Sequence, residues 1–275
     1  MYICLPTPVV RQTRWTHTTG TVVLYLHRIF RVTATVAKSH DDQSVGIDGD
    51  LGVVIVAAGA SRRMGGVDKI LSPVLGRPLI SYTLRVFNDS DRVSSIVLVV
   101  SGQSLDAYRR LVDKYDLHKV QEVCEGGARR QDSVRLGLQR LGGTAWTAVH
   151  DGARPLVDAG MIESGVAAAS ETGAAMAAVP IKDTIKAADT DGIVLKTVDR
   201  EGLWAAQTPQ VFRSDLLTEA HRRITDDVTD DASMVERVGG KVKLFMGSYD
   251  NLKVTAPEDL RLVEALLKAR EAATS

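Results

Sequence analysis

From Gly52 onward, short apolar runs alternate with segments of helical period. VVIVA (53–57), SIVLVV (95–100), KVQEV (119–123), WTAVH (146–150) and AAMAAVP (174–180) are apolar or β-branched and read as strands. Between them, PLISYTLRVF, LDAYRRLVDKY, QDSVRLGLQRL and AGMIESGVAAASE repeat apolar residues at helical spacing. Strands separated by helices predict right-handed βαβ crossovers. The expected fold is therefore α/β, a Rossmann-like, mostly parallel sheet with helices on both faces. Ligands of such sheets bind outside the carboxyl ends of the strands, so the residues that follow each strand are where chemistry is expected.

The alternation breaks at residue 181. IKDTIKAADTDGIVLKTVDREGLWAAQTPQVF (181–212) has no long helical period, and its DTDG between alternating segments predicts a β-hairpin or extended arm. An arm over 181–207 cannot bury both faces on the main sheet and is expected to pack on a partner subunit. Helical patterns return at RSDLLTEAHRRI and DDASMVERV, followed by a strand, KVKLFMG. The last helix is expected to start at Thr255, with Glu258 at capping-box spacing and Pro257 in its first turn.

Composition changes the picture at the N-terminus. Residues 1–40 contain no Asp or Glu, while Arg11, Arg14, Arg28, Arg31 and Lys38 lie among many threonines. That composition is like an organellar transit peptide, and a loosely packed extension or an early start codon are the alternatives. VVLYL (22–26) could form a short strand, and HDDQSVGIDGD (40–50) reads as a linker. Residues 1–50 are thus an N-terminal extension and 51–275 the folded domain. The formal net charge is zero, so there is no global basic field of the kind that marks nucleic-acid binding. No apolar run reaches the roughly 18 residues of a membrane span. Cys4 and Cys124 match no metal or redox spacing and suit a reducing compartment, the cytoplasm, or a plastid if the extension is a transit peptide.

Candidate chemistry gathers at the strand ends. After the first strand, Ala57, Ala58 and Gly59 let another molecule approach the backbone, and Arg62, Arg63 and Lys69 add full charges. The stretch is neither G-x-G-x-x-G nor a P-loop, so it reads as a different triphosphate loop, or as a small-residue turn before a solvated basic patch. EGGARRQDSV (125–134) supplies a second close-approach loop at Gly126 and Gly127, with Ser133 reaching a ligand or, more simply, capping a helix. In HDGARP, Asp151 follows a buried strand and could bind Mg²⁺, a ribose hydroxyl, or only its own turn, while His150 closes the strand structurally. Lys253, flanked by apolar residues in a short strand, is either a snorkelling edge residue or a cation aimed into the site.

Taken together, AAGASRRM with Lys69, EGGARRQDSV, HDGARP, KDTIK, TVDREGLWAAQTPQVF, TDDAS and DNLKVT occur in the order found in the 2-C-methyl-D-erythritol 4-phosphate cytidylyltransferase family, which this sequence resembles from about Gly52 to its C-terminus. The resemblance implies a nucleotide-diphospho-sugar transferase type of sheet, a homodimer, Mg²⁺, and condensation of CTP with a sugar-alcohol phosphate in nonmevalonate isoprenoid synthesis. Arg63 and Lys69 then look like the cations that stabilise the transition state. Ala57, Ala58, Gly59 and Ser61 would line the triphosphate loop. Gly127, Ala128 and Ser133 would approach cytosine and ribose, with alanine at 128 where the family often has aspartate. Asp151 and Gly152 would serve ribose, metal and incoming phosphate. Thr184, Arg200 and Thr229 resemble the substrate contacts, Thr184 and Arg200 on an arm that crosses a dimer, and Lys253 resembles the residue holding the substrate phosphate. The loop between Arg63 and Lys69 is one residue shorter than in some relatives, and Asp68 stands where proline is frequent. A pentitol-phosphate (ribitol 5-phosphate) cytidylyltransferase and a non-catalytic nucleotide-binding regulator are the competing readings.

Overall fold

A computed structural model describes residues 50–59 and 69–274 of the chain. The N-terminal extension up to residue 49 and the predicted strand at 22–26 lie outside the described residues, as do Ser61, Arg62 and Arg63.

The chain begins with β1 (Leu51–Ala57), the two-residue pair β2 (Pro73–Val74) and β3 (Arg77–Pro78), then α1 (Leu79–Asp89). β4 (Val93–Val100), α2 (Leu105–Lys114), β5 (Val120–Glu125), α3 (Arg130–Leu138), β6 (Trp146–Asp151), α4 (Ala159–Thr172) and β7 (Ala174–Pro180) continue the alternation. The hairpin strands β8 (Ile185–Ala188) and β9 (Val194–Val198) precede a long strand, β10 (Trp204–Arg213). α5 (Ser214–Arg223), α6 (Asp231–Arg237), β11 (Lys243–Met246) and α7 (Pro257–Thr274) complete the chain.

Seven strands form one sheet in the order β11-β7-β10-β6-β1-β4-β5. β1 runs parallel to β4 and β6 on its two sides. Its side chains enter two cores, which explains an uninterrupted apolar strand. Val53 and Ile55 pack in the core that includes Leu84 and Phe87 of α1, Tyr108 of α2 and Ile162 of α4. Val54 turns the other way, with Val97, Val99 and Leu141. Val134 of α3 and Val149 pack with Leu217 of α5 and Met234 of α6. Each such fully buried aliphatic side chain contributes roughly 1.5–3 kcal/mol over its exposed state. A fourth cluster seats Val263 and Leu267 of α7 on Val74, Leu79 and Leu156.

The main departure from the expected organisation is β10. The sequence pattern assigns Trp204–Gln207 to the arm, yet they begin a sheet strand antiparallel to both β6 and β7. The arm is accordingly shorter than 181–207. Two features hid the strand. Pro209 lacks the N–H that a ladder needs, and the register against β7 shifts between Ala206 and Gln210. The shift accommodates the proline and aims Thr208 at the end of β6, where the Asp151 amide donates to its hydroxyl at 3.1 Å. The predicted hairpin itself is present: β8 and β9 pair antiparallel as a separate two-stranded sheet. Its tip leaves Ile193, Val194 and Leu195 more than half exposed.

Two local expectations are also corrected. α7 starts at Pro257, and the acid that caps it is Asp259 rather than Glu258. Asp259 accepts from the Thr255 amide at 2.6 Å, the Thr255 hydroxyl at 3.0 Å and the Ala256 amide at 2.9 Å. The segment around Lys253 is not a strand but an irregular connection anchored by Asn251, whose Nδ2 donates to the Thr208 carbonyl at 2.9 Å.

Candidate active site

The carboxyl ends of β1, β5 and β6 open on a cleft of about 580 Å³. Ala58 and Gly59 form one wall, and Gly127, Ala128 and Ser133 another. Lys69, Arg130, Asp151 and Lys253 supply charge to the same cleft. Glycine is required at Gly126, where a Cβ would lie 2.4 Å from the Ala58 Cβ and 2.7 Å from the Ser133 hydroxyl. The two small-residue loops therefore touch, and a side chain between them would force them apart.

Ser133 does not cap its helix. Its hydroxyl accepts from the Gly127 amide at 3.1 Å and lies 3.2 Å from the Arg129 carbonyl, which it can only approach as a donor. Asp132 instead closes the start of α3, accepting from the Arg129 amide at 3.3 Å and from its guanidinium Nε at 2.8 Å. Ala57 and Gly152 stand behind the cleft rather than in its lining. Ala57 is in the core, and a Cβ on Gly152 would meet Ile80 at 2.7 Å and Ala57 at 3.3 Å.

Asp151 is the centre of the charge arrangement. Its Oδ1 lies 3.2 Å from Arg130 Nε and its Oδ2 2.7 Å from Lys253 Nζ, with Arg154 Nε 3.9 Å away. Burial alone would raise the pKa of this carboxyl, but Arg130, Lys253 and Arg154 hold it well below the usual carboxylate range. The turn-forming role considered for Asp151 is thus set aside, because its carboxylate faces cations rather than local amides. Lys253 is aimed into the site, not snorkelling away from it. Arg130 also donates to the fully buried Asp231 at 2.6 Å. These two acids outweigh its burial and hold its pKa above the ordinary arginine value, so it stays charged.

His150 has the structural role expected of it. It is fully buried, with Nε2 3.1 Å from the Arg154 carbonyl and Nδ1 3.1 Å from the Thr208 hydroxyl. A carbonyl only accepts, which assigns the proton to Nε2 and leaves Nδ1 to accept from Thr208. Burial depresses its pKa to about 4.

Thr184, Arg200 and Thr229 are not brought to the cleft lining. Thr184 and Arg200 flank the exposed hairpin, where Arg200 donates to the Lys182 carbonyl, and Thr229 is exposed just before α6. Sequence reasoning missed Arg130, Arg154, Thr208, Asp231 and His221. Arg130 and Arg154 were visible within EGGARRQDSV and HDGARP, next to residues already singled out. Nothing in the local sequence pairs Arg130 with an aspartate 101 positions away.

Among the described residues, no group of three or more His, Cys, Asp and Glu gathers as a metal cage. Among the described residues, Asp151 is the acid in the cleft lining. Its two oxygens already meet Arg130 and Lys253, so a Mg²⁺ ion here would be held mainly by substrate phosphates and water, with Asp151 as one further ligand.

The family model for IspD, 2-C-methyl-D-erythritol 4-phosphate cytidylyltransferase, matches residues 51–269. The chain belongs to this family. It is therefore a nucleotidyltransferase. A Dehalococcoides mccartyi 2-C-methyl-D-erythritol 4-phosphate cytidylyltransferase is 50% identical over 218 residues, covering 79% of this chain and 96% of the relative. A relative of the same name from Pelotomaculum thermopropionicum is 45% identical, covering 79% and 94%. The fold resembles the crystal structure of the 4-diphosphocytidyl-2C-methyl-D-erythritol synthase of Anaerococcus prevotii, with a TM-score of 0.70, 29% identity, and coverage of 80% of this chain and 96% of that one. The Thermus thermophilus cytidylyltransferase structure gives a TM-score of 0.66 at 32% identity, covering 78% and 98%.

Proposed function

We propose that the cleft transfers CMP from CTP to 2-C-methyl-D-erythritol 4-phosphate, giving 4-diphosphocytidyl-2-C-methyl-D-erythritol and pyrophosphate for isoprenoid synthesis. The observation that carries this reading is Asp151 held between Arg130 and Lys253, facing the small-residue loop at Ala58–Gly59 and Lys69 across one cleft. It provides a surface for a triphosphate and a separate cation for a second phosphate.

The substrate phosphate attacks the α-phosphorus of CTP. A new O–P bond forms, the bond to the bridging oxygen of the β-phosphate breaks, and pyrophosphate leaves with that electron pair. The attacking oxygen is already ionised, so the chain supplies no general base. Its task is to bring two polyanions together and to stabilise charge at phosphorus. Lys69, and Arg63 by resemblance, stabilise that charge. Lys253, tethered by Asp151, holds the incoming phosphate. Mg²⁺, when bound through Asp151 and the triphosphate, would offset further negative charge.

Thr184 and Arg200 flank a hairpin that, among the described residues, has no strand partner in the main sheet, and Thr229 lies just before α6. We assign the two arm residues to the active site of a second copy of the chain, in a homodimer, and the reaction to the cytoplasm. The exposed apolar hairpin tip supports the dimer and the bacterial relatives the location, and among the described residues no helix is long and apolar enough to cross a membrane. Mass spectrometry after incubation with CTP, Mg²⁺ and methylerythritol phosphate should show the cytidine diphospho-alcohol, and chelation with EDTA should abolish it. CTP bound without product would contradict the reading.

A further inference from the structure

Three consecutive side chains at the start of α3 reach one distant segment. Arg129 donates to the Thr225 carbonyl and to the Asp227 carboxylate, each at 2.9 Å. Gln131 donates to the Asp226 carbonyl at 2.8 Å and accepts from the Val228 amide at 3.2 Å. Arg130, between them, turns inward. Its Nη1 lies 2.6 Å from Asp231 Oδ2, while its Nε keeps contact with Asp151 at 3.2 Å. The other oxygen of Asp231 lies 3.1 Å from His221 Nε2. Asp231 is fully buried and His221 nearly so, whereas the Arg130 side chain is 26% exposed and lines the cleft.

We propose that Asp231, supported by His221, is a positioning residue for the transfer, acting through Arg130 to fix the carboxylate of Asp151 and, with it, the ammonium of Lys253. This deepens the function proposed above and rests on it. A guanidinium held by one carboxylate can pivot about that contact. Held by two carboxylates on different nitrogens, its plane is set. Asp231 also gives Arg130 a counterion of its own, so that Asp151 is shared between Arg130 Nε and Lys253 Nζ. Without the charge on Asp231, Arg130 turns its full attraction on Asp151 and competes with Lys253 for that carboxylate. Lys253 then loses its tether.

A purely structural role, anchoring α6 to α3, makes a different prediction: less folded protein, but normal turnover by each folded molecule. The test uses the full chain with CTP, Mg²⁺ and methylerythritol phosphate, with rates expressed per folded molecule from near-UV circular dichroism. Asp231→Asn should lower kcat on the order of 100-fold, the size expected when a reacting group is misplaced by about 1 Å. The triphosphate wall is outside the relay, so KM for CTP should change by no more than about threefold. His221→Leu, which removes the donor to Asp231, should lower kcat about tenfold, and His221→Gln, which keeps an N–H, should recover most of it. Unchanged kcat per folded molecule in both Asp231→Asn and His221→Leu would overturn the proposal, as would equal impairment by leucine and glutamine at 221. If Asp231→Asn does not fold, the two substitutions at 221 decide. Wild-type preference for ribitol 5-phosphate would overturn the substrate reading alone, and the same variants would then be scored on that alcohol.

Discussion

At the scale of single residues, Lys253 and His150 make separable predictions. Lys253 lines the cleft and reaches Asp151 with its charge, so Lys253→Met removes the cation while keeping an unbranched side chain. Its kcat/KM for the alcohol phosphate should fall by about 100- to 1,000-fold, the loss typical of one electrostatic donor, with CTP affinity largely retained. A variant within about threefold of wild type would show that the lysine only neutralises Asp151. His150 reports on the scaffold beneath. Its folded pKa, about 4, is below the ordinary 6.5, so between those values the unfolded chain binds more protons than the native one. Stability should therefore fall as pH drops from about 6.5 to about 4, by at most about 3 kcal/mol, and be restored on neutralisation. Asp151 acts in a different window. Its lowered pKa adds stability that is present above 3.8 and lost only at lower pH. Urea unfolding at pH 7, 5 and 4 separates the two, and a midpoint that stays flat down to pH 4 would contradict the buried neutral histidine.

At the scale of elements, the hairpin β8–β9 invites the most direct test. It exposes Ile193, Val194 and Leu195 at 64%, 56% and 67%, an apolar tip without cover from the rest of the described chain. If the proposed homodimer forms through this tip, Leu195→Asp should shift sedimentation from dimer to monomer and reduce turnover at least tenfold, because Thr184 and Arg200 would no longer reach a second cleft. A fully active monomer would remove the arm from the mechanism. The elements also show where sequence patterns carry information. The five predicted strands and four intervening helices before residue 181 are all found, because apolar period and burial coincide there. β10 escaped notice because Pro209 and a shifted register interrupt its pattern, although it is an interior strand of the sheet. Lys253 was visible as a candidate, but the irregular segment that presents it was not, since its geometry is set by Asn251 bonding to β10 rather than by local propensity.

At the scale of the whole molecule, the cleft is assembled from segments that the chain order keeps far apart. Loops after β1, β5 and β6 bring small residues and Asp151 to one edge, as the parallel topology requires. The cations around Asp151 come from the start of α3, the turn after β6 and the connection before α7, and Asp231 adds α6. Motif order disclosed the family, and the strand-end rule disclosed most of the wall. The ion pairs linking Arg130, Asp151, Asp231 and Lys253 required the folded chain, because each joins positions that no periodicity relates. The transfer of CMP to methylerythritol phosphate is best examined by steady-state release of pyrophosphate from the purified full chain, comparing methylerythritol phosphate with ribitol 5-phosphate. Release should require CTP, Mg²⁺ and the alcohol phosphate together, with the higher kcat/KM for methylerythritol phosphate. CTP binding without pyrophosphate release, or a higher kcat/KM for ribitol 5-phosphate, would contradict it.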